Sequence, residues 1–173
     1  MASSIDILVP AARPVVGEWS DLTPAAAEGM PPHVTLLWPW FENVTPLGLA
    51  RLADVVSELH AFELVFSAIG RFPGVLYLAP SSHSQDELVS VMRRIWSAFP
   101  ETPPYAGQIT HEPVPHLTVA KDEDDRYLDQ VAGVLGRRLR EALAIQVDRI
   151  CVSQQGTGVD GRWSVVTEFA LPA

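Results

Sequence analysis

One short pattern occurs twice along the chain. It reads Pro32-His33-Val34-Thr35-Leu36 and again Pro115-His116-Leu117-Thr118-Val119. Successive side chains of a strand point to opposite faces. His33 and Thr35 therefore share one face, and Val34 and Leu36 share the other. His116 and Thr118 are set against Leu117 and Val119 in the same way. Such a ribbon places its apolar face on a core and its polar face on solvent or a cleft. The surroundings repeat too, as strand, helix, strand, turn and strand over residues 33–79 and 116–171. The two histidines are 83 positions apart (116 less 33), and so are Phe62 and Ile145, where the later strands begin. Two such units are expected to pack about a pseudo-two-fold axis, with the motif strands facing one another across a shared groove. A single domain spanning 1–173 is expected.

Local signals supply the other elements. Ile5 to Ala11 reads as a strand ended by Pro14. Thr23 caps a short helix that starts at Pro24 and stops at Gly29. Thr45-Pro46 opens a helix whose apolar face is Leu49, Leu52, Val55, Val56 and Leu59. Phe62–Phe72 and Val75–Ala79 read as a hairpin turning at Pro73-Gly74. Ser84 to Glu87 has the spacing of a capping box. It precedes a helix with Leu88, Val91, Met92, Ile95, Trp96 and Phe99 on one face. Residues 100–115 form a proline-rich loop. Asp122 to Asp125 begins a helix that carries its apolar face as far as Leu143. Two strands close the chain, Ile145–Ser153 and Arg162–Leu171. Gln155-Gly-Thr-Gly158 joins strands and opens no helix, so it reads as a hairpin turn and not as a phosphate-binding loop.

Composition narrows the function. Hydrophobic residues are 47% and charged residues 19% of the chain, enough apolar material for a packed core. The net charge of −9 argues against binding long nucleic acid through a broad positive field. A small anion held by a few local cations remains compatible. No membrane span and no signal peptide are expected. Cys151 is the one cysteine, which excludes an internal disulfide and a cysteine cage for a metal. A cytoplasmic location is the expectation from that usage, with Cys151 read as a buried strand residue.

Two imidazoles and two hydroxyls around one pocket suit phosphodiester chemistry. An unperturbed imidazole titrates near pH ~6.5. One can take a proton from the attacking oxygen while the other gives one to the leaving oxygen. The threonine hydroxyls can donate to the phosphoryl oxygens as charge builds. Neither a metal nor a cofactor is needed for this scheme. A lone His-x-Thr would be read as an ordinary half-buried strand pair. Two copies, each after a proline and each opening an equivalent unit, favour a catalytic reading.

The paired motif resembles that of the two-histidine (2H) phosphoesterase superfamily, which includes 2′-5′ RNA ligase-like proteins and cyclic phosphodiesterases. Two longer stretches fit it as well. Pro32-His-Val-Thr-Leu-Leu-Trp-Pro resembles the first family motif, and Ile69-Gly-Arg-Phe-Pro-Gly-Val-Leu-Tyr-Leu resembles the glycine–phenylalanine hairpin that follows. The resemblance implies a bilobal α+β fold, with two pseudo-symmetric antiparallel sheets, helices outside and a central cleft. It implies metal-independent hydrolysis of a 2′,3′-cyclic or 2′-5′ phosphodiester in a nucleotide or short RNA end. His33 and His116 take the acid–base roles, and Thr35 and Thr118 hold the phosphate. Reversible 2′-5′ RNA ligation, or nucleotide binding without turnover, are the alternatives. The family's second motif is often followed by Ala-Arg. Here Ala120-Lys121 keeps the charge but loses the planar fork.

Substrate contacts beyond the motifs are expected from Lys121, Arg13, Trp40 and Tyr77. Lys121 sits at a strand end, where it either meets a phosphate or is solvated. Arg13, Arg71 and Arg162 lie within reach of a cleft but also read as surface charges. Alternation puts Trp38 on the core face, with Trp40 and Phe41 beyond Pro39 at a cleft rim. Trp96 belongs to a helix core face and Trp163 is undecided. His60 and His83 are expected at the surface. His111 with His33 and His116 would make a three-histidine metal site, which the threonine partners make unnecessary.

Overall fold

The structure is a computed structural model that describes residues 2–109, 112–122, 124–156 and 161–173. Its strands are β1 (Ser3–Leu8), β2 (His33–Leu37), β3 (Phe62–Phe72), β4 (Val75–Pro80), β5 (Leu117–Lys121), β6 (Leu143–Val147), β7 (Arg149–Gln155) and β8 (Trp163–Ala170). Its helices are α1 (Arg13–Ser20), α2 (Pro24–Ala27), α3 (Pro46–Ser57), α4 (Ser82–Ala98) and α5 (Asp125–Arg138). The eight strands form one antiparallel sheet in the order β6-β3-β4-β5-β2-β1-β7-β8. It consists of two four-stranded halves. Between them, β2 and β5 share one paired position, Val34 with Leu117. Those residues are 83 apart (117 less 34), the interval that separates the motif histidines.

The apolar face of this sheet is covered by helices. α4 packs on β2, β3 and β4, and α1 and α5 pack on β5 and on each other. Leu36, Leu76, Leu78, Phe66, Leu88, Ile95, Leu117 and Val119 are buried there. Gly74 makes the β3–β4 turn with φ +70°, a conformation that costs glycine little.

The helix signals at Thr45 and Asp124 act as caps. Thr45 accepts from the Gly48 N–H, and Asp124 accepts from the Arg126 N–H. The cap of α4 lies three residues earlier than the capping-box spacing suggests, at Ser81. Ser84 is buried instead. Its Oγ accepts from Val65 N at 2.9 Å and donates to the Glu63 carbonyl at 3.3 Å, which ties α4 to β3.

Other elements also depart from the sequence expectations. The first strand ends at Leu8, and α1 follows with Pro14 in its first turn. Proline ends a strand but is tolerated early in a helix, where its missing N–H had no partner to lose. Helix α5 stops at Arg138, and Leu143 belongs to β6. The expected strand 145–153 breaks at Asp148, because its two parts pair in different halves, β6 on β3 and β7 on β1. β4 lies between β3 and β5, whereas β8 lies outside β7 and β1 fills the place between β7 and β2. The repeated element order therefore does not give every repeated element the same place in the sheet. Among the described residues, no helix is long and apolar enough to cross a membrane.

Phe66 is fully buried where β3 leaves β6 and joins β4. Phe66→Ala is expected to cost about 3–5 kcal/mol, a large share of a typical stability of about 5–15 kcal/mol. The check is a fall in the urea midpoint with an unchanged slope.

Candidate active site

His33 and Thr35 are half-buried, with Val34 and Leu36 buried behind them. His116 stands immediately before β5. It and Thr118 are half-buried against buried Leu117 and Val119. Alternation thus operates in both motifs as the sequence pattern requires. The antiparallel register through Val34 and Leu117, continued by one residue, sets His33 opposite Thr118 and Thr35 opposite His116. Each imidazole is then neighbour to the other motif's hydroxyl. All four side chains line one cleft of about 570 Å³.

The two rings are held alike. His33 Nδ1 lies 2.8 Å from the Pro31 carbonyl, and His116 Nδ1 lies 2.8 Å from the Val114 carbonyl. A carbonyl oxygen only accepts, so both Nδ1 atoms carry hydrogen. In a neutral ring this leaves Nε2 bare to take a proton. In a charged ring Nε2 holds the proton that can be given away.

The surroundings of the rings differ. His116 lies against Phe72 (5.1 Å between centroids) and Tyr77 (5.2 Å), and those two rings stack on each other at 4.5 Å. Tyr77 pairs across the hairpin with Gly70 and lies over it, where a Cβ would meet the ring at 2.2 Å. The glycine–phenylalanine hairpin singled out in the sequence therefore builds the aromatic wall behind His116. Burial pushes the His116 pKa below the usual histidine value. The Val114 carbonyl opposes the shift, and the charges of His33 and Lys121 add to it. His33 instead stands near the carboxyl of Asp6, which pairs across β1 and β2 with Thr35.

Lys121 lines the cleft. Arg13 does not; its guanidinium is paired with Asp21 at 2.8 Å. Trp40 is no rim residue. It is buried between Phe41 and Phe99, because the chain returns into the core after Pro39. Tyr77 supports the His116 ring and is not among the lining residues. Arg71 pairs with Asp129 at 2.8 Å and Asp125 at 3.7 Å. Arg162 is exposed beside Gly29. His60 and His83 are exposed. Cys151 is buried, with its thiol pushed up to about 12 by desolvation and by the nearby carboxyls of Glu168 and Asp6. His111 falls outside the described residues. Among the described residues, no group of three His, Cys, Asp or Glu side chains is arranged to hold a metal ion.

Several lining residues were not anticipated as such. Trp38 faces the cleft and is 38% exposed, since Leu36 and Leu37 are both buried and the alternation ends there. Tyr105 packs edge-on against it at 5.9 Å, brought there by a Tyr105 N–H bond to the Trp38 carbonyl. Trp163 lines the far wall and donates Nε1–H to Glu28 at 3.0 Å. Trp96 also reaches the cleft, while its Nε1–H bonds the Leu36 carbonyl at 2.8 Å. Asp6 had one sequence signal, a single charge inside an apolar strand.

Residues 8–158 match the 2′-5′ RNA ligase superfamily, and the chain belongs to that superfamily. No curated protein sequence matches it. Its fold is similar to that of E. coli LigT, solved with NADP+, at TM-score 0.62 and 15% identity, covering 99% of this chain and 98% of that one. TT0787 of Thermus thermophilus is similar at TM-score 0.62 and 15% identity, with coverage of 99% and 98%. Kluyveromyces marxianus Usb1 is similar at TM-score 0.56 and 14% identity, with coverage of 99% and 97%.

The aromatic wall gives a test. Gly70→Ala forces the Tyr77 ring away, is expected to cost about 1–3 kcal/mol, and lets water reach His116. The His116 midpoint, followed by NMR, should then rise toward that of an ordinary histidine. A midpoint that stays depressed would show that the wall is not its cause.

Proposed function

We propose that this cleft is the active site of a metal-independent phosphoesterase that opens a 2′,3′-cyclic or 2′-5′ phosphodiester in a nucleotide or short oligonucleotide. The observation that carries the reading is the matched pinning of two imidazoles by Pro31 and Val114 in one cleft with Thr35 and Thr118. Membership of the superfamily supports a phosphoester as the reacting group. LigT has been solved with 3′-AMP, with ATP and with NADP+, which supports a nucleotide-sized ligand for a cleft of this kind.

The roles follow from the surroundings. His116, whose neutral form is favoured, takes a proton from water at Nε2. The water oxygen bonds to phosphorus, and the bond from phosphorus to one ribose oxygen breaks. His33 gives its Nε2 proton to that oxygen. Thr35 and Thr118 donate hydrogen bonds to the non-bridging oxygens, where charge accumulates. After one turnover the histidines have exchanged protonation states, and a proton exchange with water restores them.

Charge bears on substrate size. Lys121 is the one lysine or arginine among the described residues lining the cleft, and Asp6 and Glu28 line it too. That balance suits a single phosphodiester better than a long strand and favours hydrolysis over RNA ligation. Trp38, Tyr105 and Trp163 line the cleft and are the aromatic groups placed to meet the rest of the substrate, where one stacked base is worth about 1–3 kcal/mol.

Incubation with 2′,3′-cyclic nucleotides in EDTA tests the reading. Turnover should persist under chelation and fall about 100- to 10,000-fold in His33→Ala and in His116→Ala. Thr35→Val and Thr118→Val should each lose about 100-fold in kcat. Tight binding without turnover, or turnover that stops in EDTA and returns with a metal, would contradict it. The pH–rate profile should be bell-shaped. Its rising limb should lie below the ordinary histidine range, because His116 must shed its proton and its pKa is lowered. A rate independent of pH would contradict the proton transfers.

A further inference from the structure

The wall of the cleft made by α2 and the start of β8 has no part in the proton transfers. Among the described residues, its one charged side chain is Glu28, which lines the cleft together with Trp163, Ala25 and Ala26. Met30 and Pro31 join Glu28 to the first motif and line the cleft as well, so this wall runs without a break into the histidine site.

Glu28 is held as a fixed acceptor. Trp163 Nε1–H donates to Oε2 at 3.0 Å, and Gln155 Nε2 donates to the same atom at 3.1 Å. The backbone adds a third tie, from Trp163 N to the Glu28 carbonyl at 2.6 Å. Two donors on one oxygen use its lone pairs. Oε1 accepts no hydrogen bond among the described residues and is the oxygen left for a ligand. The N–H groups of Glu28, Gly29 and Met30 are bonded back to the carbonyls of Pro24, Ala26 and Ala25. Thr23 gives its hydroxyl hydrogen to the Ser20 carbonyl at 2.7 Å. The side chains of Ala25, Ala26, Met30 and Pro31 have no hydrogen to give. Arg162 stands beside Gly29 but is not a lining residue. The side chains of this wall therefore present one carboxylate in an apolar setting.

The nucleobases differ in what they offer such a group. A carboxylate only accepts. Guanine carries two adjacent donors, N1–H and the 2-amino group. The amino group of adenine or cytosine lies beside a ring nitrogen that accepts, and the N3–H of uracil lies between two carbonyl oxygens. Those acceptors meet a negative oxygen at close range and are repelled by it.

We propose that Glu28 selects the base: its Oε1 accepts from the N1–H and 2-amino edge of guanine, so that a guanosine phosphodiester is the preferred substrate. Trp163 and Gln155 are positioning residues that act through it. The proposal deepens the phosphoesterase reading and rests on its nucleotide ligand. The same hydrogen bonds fix what a substitution does. In Glu28→Gln, Trp163 and Gln155 still require an oxygen where Oε2 stands. The amide oxygen takes that place, and the amide nitrogen takes the place of Oε1. The acceptor offered to the ligand becomes a donor, while the size of the side chain is kept.

Calorimetry with the 3′-monophosphates of guanosine, adenosine, cytidine and uridine tests this without turnover. The intact protein should bind the guanosine nucleotide roughly 10- to 100-fold more tightly than the other three, the range of a hydrogen bond to a charged group. Glu28→Gln should lose that margin, with far smaller changes for the other three. In turnover, the loss should appear chiefly in KM for guanosine 2′,3′-cyclic phosphate. Four equal affinities in the intact protein overturn the proposal, and that measurement requires no variant to fold. If turnover is present in that case, the phosphoesterase reading stands. An equal loss for all four bases in Glu28→Gln also overturns the proposal, since it marks a contact with ribose or a general disturbance. A guanosine margin that Glu28→Gln removes, in a protein without turnover, upholds the base contact while the phosphoesterase reading fails. No binding of any of the four overturns both.

Discussion

The two halves of this sheet meet at one backbone pairing, between Val34 and Leu117. Everything proposed for the site depends on that contact. Both residues are buried in the shared core, and each is flanked by the histidine and threonine of its own motif. Because side chains alternate, anchoring Val34 and Leu117 inward turns His33, Thr35, His116 and Thr118 outward together. Because the pairing is antiparallel, each imidazole falls beside the other strand's hydroxyl. Beyond it β2 and β5 share no further paired position.

Symmetry at the backbone coexists with asymmetry in the side chains. The two Nδ1–carbonyl contacts have the same length and the same sequence offset. They occupy Nδ1 in both halves and leave Nε2 as the nitrogen free of a backbone partner. What differs is the second ring of neighbours, with Phe72, Tyr77 and Lys121 around His116, and Asp6 and its hydroxyls near His33. Acid–base catalysis requires two groups in opposite protonation states at one pH. A duplicated motif alone supplies two equal groups, and unequal neighbours make them different.

The sequence made the motif faces legible because alternation in a short strand is a local property that sequence spacing reports directly. The helix starts at Thr45-Pro46 and within Asp122 to Asp125 were legible for the same reason. What failed was non-local. Trp38 and Trp40 exchange their expected roles, since β2 ends at Leu37 and the chain turns back into the core. Arg13 is taken up by Asp21, a partner eight residues on that helix α1 brings near, and the sequence reading places no helix there. The break at Asp148 reflects which half each part pairs with, and nothing in residues 145–153 announces it. Asp6 is a single charge in an otherwise apolar run. Its meaning comes from Thr35 across the ladder, which only the register shows.

The central claim is that His33 and His116 face one phosphorus from two sides. A crystal structure with a bound 2′- or 3′-nucleoside monophosphate tests it most directly. The account predicts the phosphate between the two Nε2 atoms, with its oxygens accepting from the Thr35 and Thr118 hydroxyls. A phosphate bound elsewhere in the cleft, or either ring turned so that Nδ1 faces the ligand, would contradict it.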